Sequence, residues 1–542
     1  MCDINNTDPT SVFLATMVKE QEDYDSYGLA DNSDVATSVL VTYLKALLLS
    51  SALPGVLTLL SWLLWLMYYA TFRSNASQLP LPPGSMGLPL IGETITLFLL
   101  GATFYKKRRK LYGDVFKTHL MGRPIVRVAG ASNVRKVLMG ENTLVTSFWP
   151  ASVRLMLGTN TISMSTGNKH KFLRKGVSKA FNHDALSSYV SVMQQMTRDA
   201  IQRWCDTAYV RGYRECQTLT FSIACRTLLG LGQSSTAGHS NLGAARAEVD
   251  KFLDVFETWT HNLFSLPINL PGCGLSRGLR ARKVLLDKVE EIIRTKEREE
   301  ITTRDALSLM MRLGGDEGKL SMEELKEVCL ELLFAGHATV ASASTLLLYF
   351  LGRNPRVVRR IQRELEEHGL KDTNQNDDLT VHALSRLTYV DHVVKESLRL
   401  APPVGAGFRV ALKTFEMDGY QVPKDWTVVY SIRETQAFSE LFTDSDRFEP
   451  ERWETIGQSA DDEKEDFHFL PFSRGARGCV GKEYAKLLLK IFVVETCRTC
   501  HWRLLNEDVE LKMIPLPQPA DGLPLHVTHL LPAQVRPRAA TV

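Results

Sequence analysis

The sequence predicts a mainly α chain with small β-sheets, an α+β fold, carried behind an N-terminal transmembrane helix. Three observations predict it. Ala46–Thr71 (ALLLSSALPGVLTLLSWLLWLMYYAT) holds no charged residue, and at about 1.5 Å per residue it is long enough to cross the hydrocarbon core of a bilayer. Ser321-Met322-Glu323-Glu324 opens a second long helix with a capping box. From Val328 that helix is apolar nearly all round until Gly352 and Pro355 end it, the pattern of a helix buried on every side. The strand signals are short: Val115–His119 and Ile125–Val128, joined by Met121-Gly122-Arg123-Pro124, and a hairpin turning at Asp418-Gly419.

Composition narrows the class. A chain of 542 residues has room for several domains or one large one. Lys+Arg number 64 against 61 Asp+Glu, a near balance that gives no nucleic acid a reason to bind. Nine cysteines without a pairing pattern suit a reducing compartment and free thiols. Cys497-x-x-Cys500 has no second ligand pair at zinc spacing, so it reads as structural.

Taken in order, residues 1–38 carry eight acids against Lys19 alone and include the sequon Asn5-Asn6-Thr7. Residues 39–72 form the anchor, with Trp62, Trp65, Tyr68 and Tyr69 at its far end as an interface belt. Arg73 and Lys106–Lys110 follow, so the basic side stays cytosolic and the N-terminus is luminal. Pro54 introduces a kink that a membrane helix tolerates. Residues 73–84, with Leu79-Pro80-Leu81-Pro82-Pro83-Gly84, read as a stiff linker, and residues 85–542 as one catalytic domain. Gln233–Gly238 reads as a flexible loop and Arg280–Arg304 as an exposed charged helix.

The chemistry concentrates near the carboxyl end, at Phe472-Ser473-Arg474-Gly475-Ala476-Arg477-Gly478-Cys479-Val480-Gly481. A lone cysteine before a helix is ordinarily just packed in a core. Here Gly475, Gly478 and Gly481 would allow positive φ and close approach to a flat ligand, while a helix N-terminus and Arg477 would favour the thiolate. The whole string Phe-x-x-Gly-x-Arg-x-Cys-x-Gly resembles the haem-binding loop of the cytochrome P450 family. That resemblance implies the cytochrome P450 fold, with Cys479 as axial ligand of a haem b iron and Phe472 against the sulfur. It further implies Gly475 and Gly481 shaping the loop and Arg477 on a haem propionate. His170 and Arg174, four apart before Ala180-Phe181, fall where the family binds propionates; otherwise they form a solvated basic helix face.

Within the long helix, Ala335-Gly336-His337-Ala338-Thr339-Val340 resembles the family's oxygen-activation segment. The resemblance implies a bulge there and Thr339 as proton relay. Ala338 stands where the family has Asp or Glu, so the proton source is missing, and His337, if it turned inward, would partly substitute. Glu396 and Arg399, three apart, with Arg452 from Pro450-Glu451-Arg452-Trp453, resemble the family's buried structural triad. The likeness over about residues 80–530 is to family 26, the retinoic-acid hydroxylases, A-type in particular. It implies a long apolar pocket lined by Trp149, Phe334, Pro403, Val404 and Phe408. Arg123 is the cation chosen for a substrate carboxylate, and Gly405, in place of a proline, implies a looser wall.

The resemblance therefore implies a haem-thiolate monooxygenase that hydroxylates all-trans-retinoic acid with dioxygen. Electrons would come from NADPH through a separate NADPH–cytochrome P450 reductase, docked near Arg474, Lys482 and Lys175, at the endoplasmic reticulum membrane. Two other readings stand beside it: a P450-type isomerase that needs no reductase, and a member that binds haem and retinoid without catalysis.

Overall fold

The computed structural model describes residues 32–71, 77–88, 90–231, 242–298, 304–312, 320–371, 378–456 and 467–530. The sequon at Asn5, most of the acidic N-terminus and the loop Gln233–Gly238 lie outside them. Two units are distinct, Met1–Arg73 and Ser74–Val542.

In the first unit, helix α1 (Asn32–Thr71) runs continuously through Pro54. Thr58 Oγ1 turns back on the chain and donates to the carbonyls of Pro54 at 2.9 Å and Gly55 at 2.8 Å. Its most apolar stretch, Thr37–Met67, is 0% buried by protein. An apolar helix with no protein against any face leaves its hydrophobic surface to another solvent.

The helices that build the site in the second unit are α2 (Ala131–Met139), α3 (Gly167–Ser178), α4 (Gly212–Ala224), α5 (Leu242–His261), α6 (Met322–Arg353), α7 (Thr388–Leu400), α8 (Ile432–Ala437) and α9 (Lys482–Thr499). Helix α6 starts at the expected capping box, with both Ser321 and Glu324 bonds made. It is also long and apolar enough to cross a membrane, but 72% of its most apolar stretch is buried in protein. Helix α6 is thus the core's central rod, surrounded by the main cluster. The charged stretch after Arg280 belongs to a helix, Gly274–Arg298, that is not exposed all round: Leu285, Val289, Ile292 and Ile293 are buried on one face.

The strands are β1 (Val115–Leu120), β2 (Arg123–Val128), β3 (Val145–Ser147), β4 (Tyr209–Arg211), β5 (Ala406–Ala411), β6 (Phe415–Met417), β7 (Tyr420–Val422), β8 (Thr427–Ser431), β9 (Cys500–Leu504), β10 (Leu511–Lys512), β11 (Gln518–Pro519) and β12 (Pro524–His529). The largest sheet has the order β1-β2-β8-β5-β3. β2 pairs with β8 in parallel, and the other neighbours are antiparallel. Met121 and Gly122, with φ of 52° and 76°, make a two-residue turn tighter than the four residues expected. β6 and β7 form the hairpin expected at Asp418-Gly419, both with positive φ. Residues of the proline-rich stretch lie against the sheets: Lys117 Nζ donates to the Pro82 carbonyl at 2.7 Å, and the Gln421 amide to Pro80 at 2.9 Å.

Candidate active site

The cysteine loop is shaped by two positive-φ residues, Ser473 at 55° and Gly475 at 73°. Gly475 is required twice over, because a Cβ there would come within 2.8 Å of the Leu138 carbonyl at the end of α2. The loop closes when the Cys479 amide donates to the Phe472 carbonyl at 2.9 Å and that of Gly478 to Gly475 at 3.0 Å. Gly478 and Gly481 do not take positive φ; they stand at −57° and −90°. A Cβ on Gly478 would come to 3.3 Å from the Gly475 carbonyl, and Gly481 is the N-cap of α9.

Cys479 therefore sits just before a helix N-terminus with its side chain exposed. Protein atoms still crowd the sulfur, and desolvation raises its thiol pKa despite a Gly481 backbone hydrogen bond and the charges of Arg174 and Lys482. This departs from the expected lowering. The cations acting on the sulfur are Arg174 and Lys482, because Arg477 is spent elsewhere. A raised thiol pKa is overcome outright when a metal cation binds the sulfur.

Arg477 Nε donates to Glu141 Oε1 at 3.1 Å and Nη1 to the Ile162 carbonyl at 3.1 Å, while Nη2 is buried without a partner. Arg409, buried on β5, pairs through Nε with the other Glu141 oxygen at 2.9 Å. His170 on α3 is buried, and its Nε2 has no hydrogen-bond partner. Burial, then Arg477 and Arg174, pull its pKa down to about 4, so the ring is neutral at pH 7. Glu331 on α6 grips the same segment as Arg477, accepting from the amides of Ile162 at 2.6 Å and Ser163 at 2.9 Å. Sequence reading missed Glu141 and the role open to Arg409. Only an arginine between apolar residues of a short strand hinted at the latter.

Helix α6 is α-helical throughout, without the expected bulge. Thr339 Oγ1 donates to the Ala335 carbonyl one turn back at 2.6 Å, the usual satisfaction of a hydroxyl in a helix. The His337 expectation fails. Its ring is buried between Phe221 of α4 and Phe256 of α5, and Nδ1 bonds Thr220 Oγ1 at 3.0 Å. Because Thr220 already donates to the Cys216 carbonyl, His337 Nδ1–H is the donor in that bond. Burial lowers its pKa to about 3. Two residues along an α-helix lie about 200° apart, so His337 also faces away from Thr339.

Glu396 is fully buried and accepts from five donors: Arg399 Nε and Nη2, Arg452 Nε, the Glu449 amide and Trp453 Nε1, all at 2.9–3.0 Å. Arg399 continues to the carbonyls of Ser445 at 2.7 Å and Arg447 at 3.0 Å. The three expected residues thus meet, and they tie α7 to the loop before Arg452.

The expected pocket residues are only partly gathered. Trp149, Phe334 and Phe472 are partly buried on the main cluster, with Phe334 edge-on to Trp259 at 5.7 Å. Phe408 packs instead against the smaller cluster of Phe104, Leu120, Ile125 and Val429. Pro403 is buried and Val404 is 44% exposed. Arg123 is exposed at the hairpin end of β2, over the Phe148 ring at 4.6 Å. Through β8 the register sets Arg127, not Arg123, level with Phe408, so Arg123 lies four residues away along the sheet. Gly405 does not loosen the wall. A Cβ there would meet Arg433 Nη2 at 2.8 Å, and that same nitrogen donates to the Met513 carbonyl at 2.9 Å.

A cysteine just before a helix N-terminus, with a buried guanidinium nitrogen and a buried imidazole nitrogen left unpartnered, offers a thiol ligand and unspent donors for an anion. The family model for Cytochrome P450 matches residues 82–525, and the chain belongs to that family. It is 44% identical over 500 residues to Cytochrome P450 26A1 of Gallus gallus, covering 91% of this chain and 97% of the relative. It is 41% identical to Cytochrome P450 26B1 of Homo sapiens over 487 residues, 88% of this chain and 92% of the relative. Among solved structures it matches a retinoic acid-bound cyanobacterial CYP120A1 with a TM-score of 0.74 and 32% identity, covering 84% of this chain and 100% of that one. As a cytochrome P450 it is a haem-iron monooxygenase that uses dioxygen. The residues present fit haem: buried Arg477 Nη2 and His170 Nε2 lack partners, as donors awaiting propionate oxygens do.

Proposed function

We propose that this chain is a membrane-anchored haem-thiolate monooxygenase that hydroxylates all-trans-retinoic acid and so clears it, with NADPH as electron source through a separate NADPH–cytochrome P450 reductase. The observation that carries the reading is that Arg477, two residues before Cys479 in the same loop, and His170 each keep a buried nitrogen without a partner. Cys479 would supply the thiolate that holds the iron; His170, Arg174 and Arg477 would hold the propionates. Haem bound there supplies an iron centre for dioxygen activation, and a thiolate ligand favours O–O cleavage.

The chain's own residues then bind, orient and move protons. Thr339 keeps its lone pairs free to accept from water while its proton rests on the Ala335 carbonyl. With Ala338 beside it and His337 neutral and turned away, neither of these helix neighbours passes Thr339 a proton. A positioned acid typically contributes about 10²–10⁴-fold to such a step, so weaker coupling of NADPH to product follows. A retinoid is supported by the retinoic acid held by CYP120A1 and by the family 26 relatives. Trp149 and Phe334, on the main cluster, are the apolar surface proposed for a polyene, whereas Phe408 lies on a separate cluster and Arg123 at the hairpin end of the sheet.

Helix α1 is the proposed anchor in the endoplasmic reticulum, with the N-terminus luminal. In the second unit Leu88, Leu90, Ile91, Ile95, Phe98 and Leu99 are all exposed apolar side chains, suited to contact with a bilayer. Purified protein with reductase, NADPH and all-trans-retinoic acid is expected to give 4-hydroxy product. Product without reductase would favour an isomerase. A substrate-induced spectral shift with no NADPH-dependent product would favour a retinoid-binding member without catalysis.

A further inference from the structure

Glu141 occupies a position the mechanism above does not use. Its side chain is 4% exposed; Oε1 accepts a hydrogen bond from Arg477 Nε at 3.1 Å, and Oε2 forms an ion pair with Arg409 Nε at 2.9 Å that is out of line for a hydrogen bond. The Ser147 amide donates weakly to Oε1 at 3.3 Å. These contacts join three separate parts of the chain: the turn after α2, strand β5 and the cysteine loop. Arg174 adds a third guanidinium close enough to act on both Arg477 and Cys479, and no acid among the described residues pairs with it. Glu331 is the other buried carboxylate nearby, but its oxygens are taken by Ile162 and Ser163 and bond no guanidinium.

The charges then count simply. Arg174, Arg409 and Arg477 carry three positive charges, and His170 is neutral at pH 7. Haem brings two propionates. Two carboxylates against three guanidinia, Arg409 and Arg477 buried and Arg174 half-buried, leave one positive charge uncompensated, which is costly in a desolvated site. Glu141 is the third carboxylate.

Resting on the haem reading above, we propose that Glu141 is a positioning residue for the cofactor. Its carboxylate holds Arg409 and Arg477 in place before haem enters, and it completes the neutralisation of the propionate site once haem is bound. A negative charge kept there also opposes reduction of the iron, so Glu141 tunes the potential as well as the retention of haem.

The test uses the full-length holoprotein and its Glu141→Gln, Glu141→Asp and Glu141→Gln/Arg409→Gln variants. Three quantities are read: the ferrous carbon-monoxide difference band, the rate of haem transfer to excess apomyoglobin, and the ferric/ferrous midpoint potential. Glu141→Gln is expected to keep the thiolate-type band, lose haem several-fold faster, and reduce more easily by roughly tenfold in the equilibrium, which is about 59 mV for one electron. Glu141→Asp keeps the charge on a shorter stem, so its potential stays near wild type while haem loss quickens. The double variant removes one charge of each sign, and its potential returns toward wild type, a rescue that a merely structural Glu141 would not give. Wild-type potential and haem retention in Glu141→Gln overturn the proposal. If Glu141→Gln cannot be recovered with haem, the Asp and double variants decide: a potential shifted positive in both refutes it. Absence of the thiolate band in the wild type would instead refute the haem reading itself.

Discussion

Replacing Arg399 by alanine tests the claim that the Glu396 cluster holds the site together. Arg399 and Glu396 have side chains 0% exposed, at 2.9 Å. Removing one partner of such a pair costs roughly 3–5 kcal/mol, because the remaining charge stays buried. Arg452 Nε stays on Glu396 at 2.9 Å and softens the loss. It does not reach Ser445, whose carbonyl loses a donor now at 2.7 Å, and it holds the Arg447 carbonyl only at 3.5 Å. Ser445 is half-buried and Arg447 exposed, so water can replace the lost donor at either carbonyl. The total therefore stays within roughly 3–5 kcal/mol, comparable with the lower end of what a folded domain has in hand. Because the cluster anchors the segment 445–453 to α7, the expected product is misfolded or haem-free protein. Arg360→Ala serves as the control: that arginine is 41% exposed and its partners Glu451 and Glu454 are 27% and 43% exposed, so about 0–1 kcal/mol is at stake. Both variants are compared by thermal unfolding and by haem content per polypeptide. If Arg399→Ala matched wild type in both, or fell no further than Arg360→Ala, the account of the cluster would be wrong.

Three further outcomes are expected. Ala338→Glu should lower peroxide released per NADPH and raise product yield, measured with reductase and retinoic acid; unchanged peroxide and turnover would show that proton supply at Thr339 is not limiting. Gly475→Ala forces a Cβ to 2.8 Å from the Leu138 carbonyl at a φ of 73°, so haem content should fall, while Gly481→Ala, with nothing within 4 Å of its Cβ, should be tolerated. His337 has a folded-state pKa near 3 against about 6.5 unfolded. Below pH 6.5 the unfolded chain therefore binds the extra proton, and stability is lost as pH falls from about 6.5 toward 3. His337→Gln should flatten that slope by at most about 1.4 kcal/mol per pH unit; equal slopes in denaturant titrations at pH 4.5 and 6 would refute a buried neutral imidazole.

What was legible in the sequence was whatever local spacing encodes. The capping box at Ser321, the Asp418-Gly419 hairpin, the apolar run of α1 and the string around Cys479 each depend on residues a few positions apart. Backbone geometry links such neighbours without help from the rest of the chain. The resemblance carried by the cysteine string extended this to the cytochrome P450 fold. Glu396 and Arg399 were legible for the same reason, being one helical turn apart.

Tertiary structure decided where side chains turn and which charges meet. Nothing local tells His337 to face Phe221 and Phe256 rather than Thr339; packing against α4 and α5 does. Arg433 filling the space that Gly405 leaves, and Phe408 joining a different cluster from Phe334, follow from sheet register. The meeting of Glu141 with Arg409 and Arg477, residues hundreds of positions apart, follows from chain topology. Burial then gives those encounters their force, since a charge removed from water must find its partner wherever the fold has carried it.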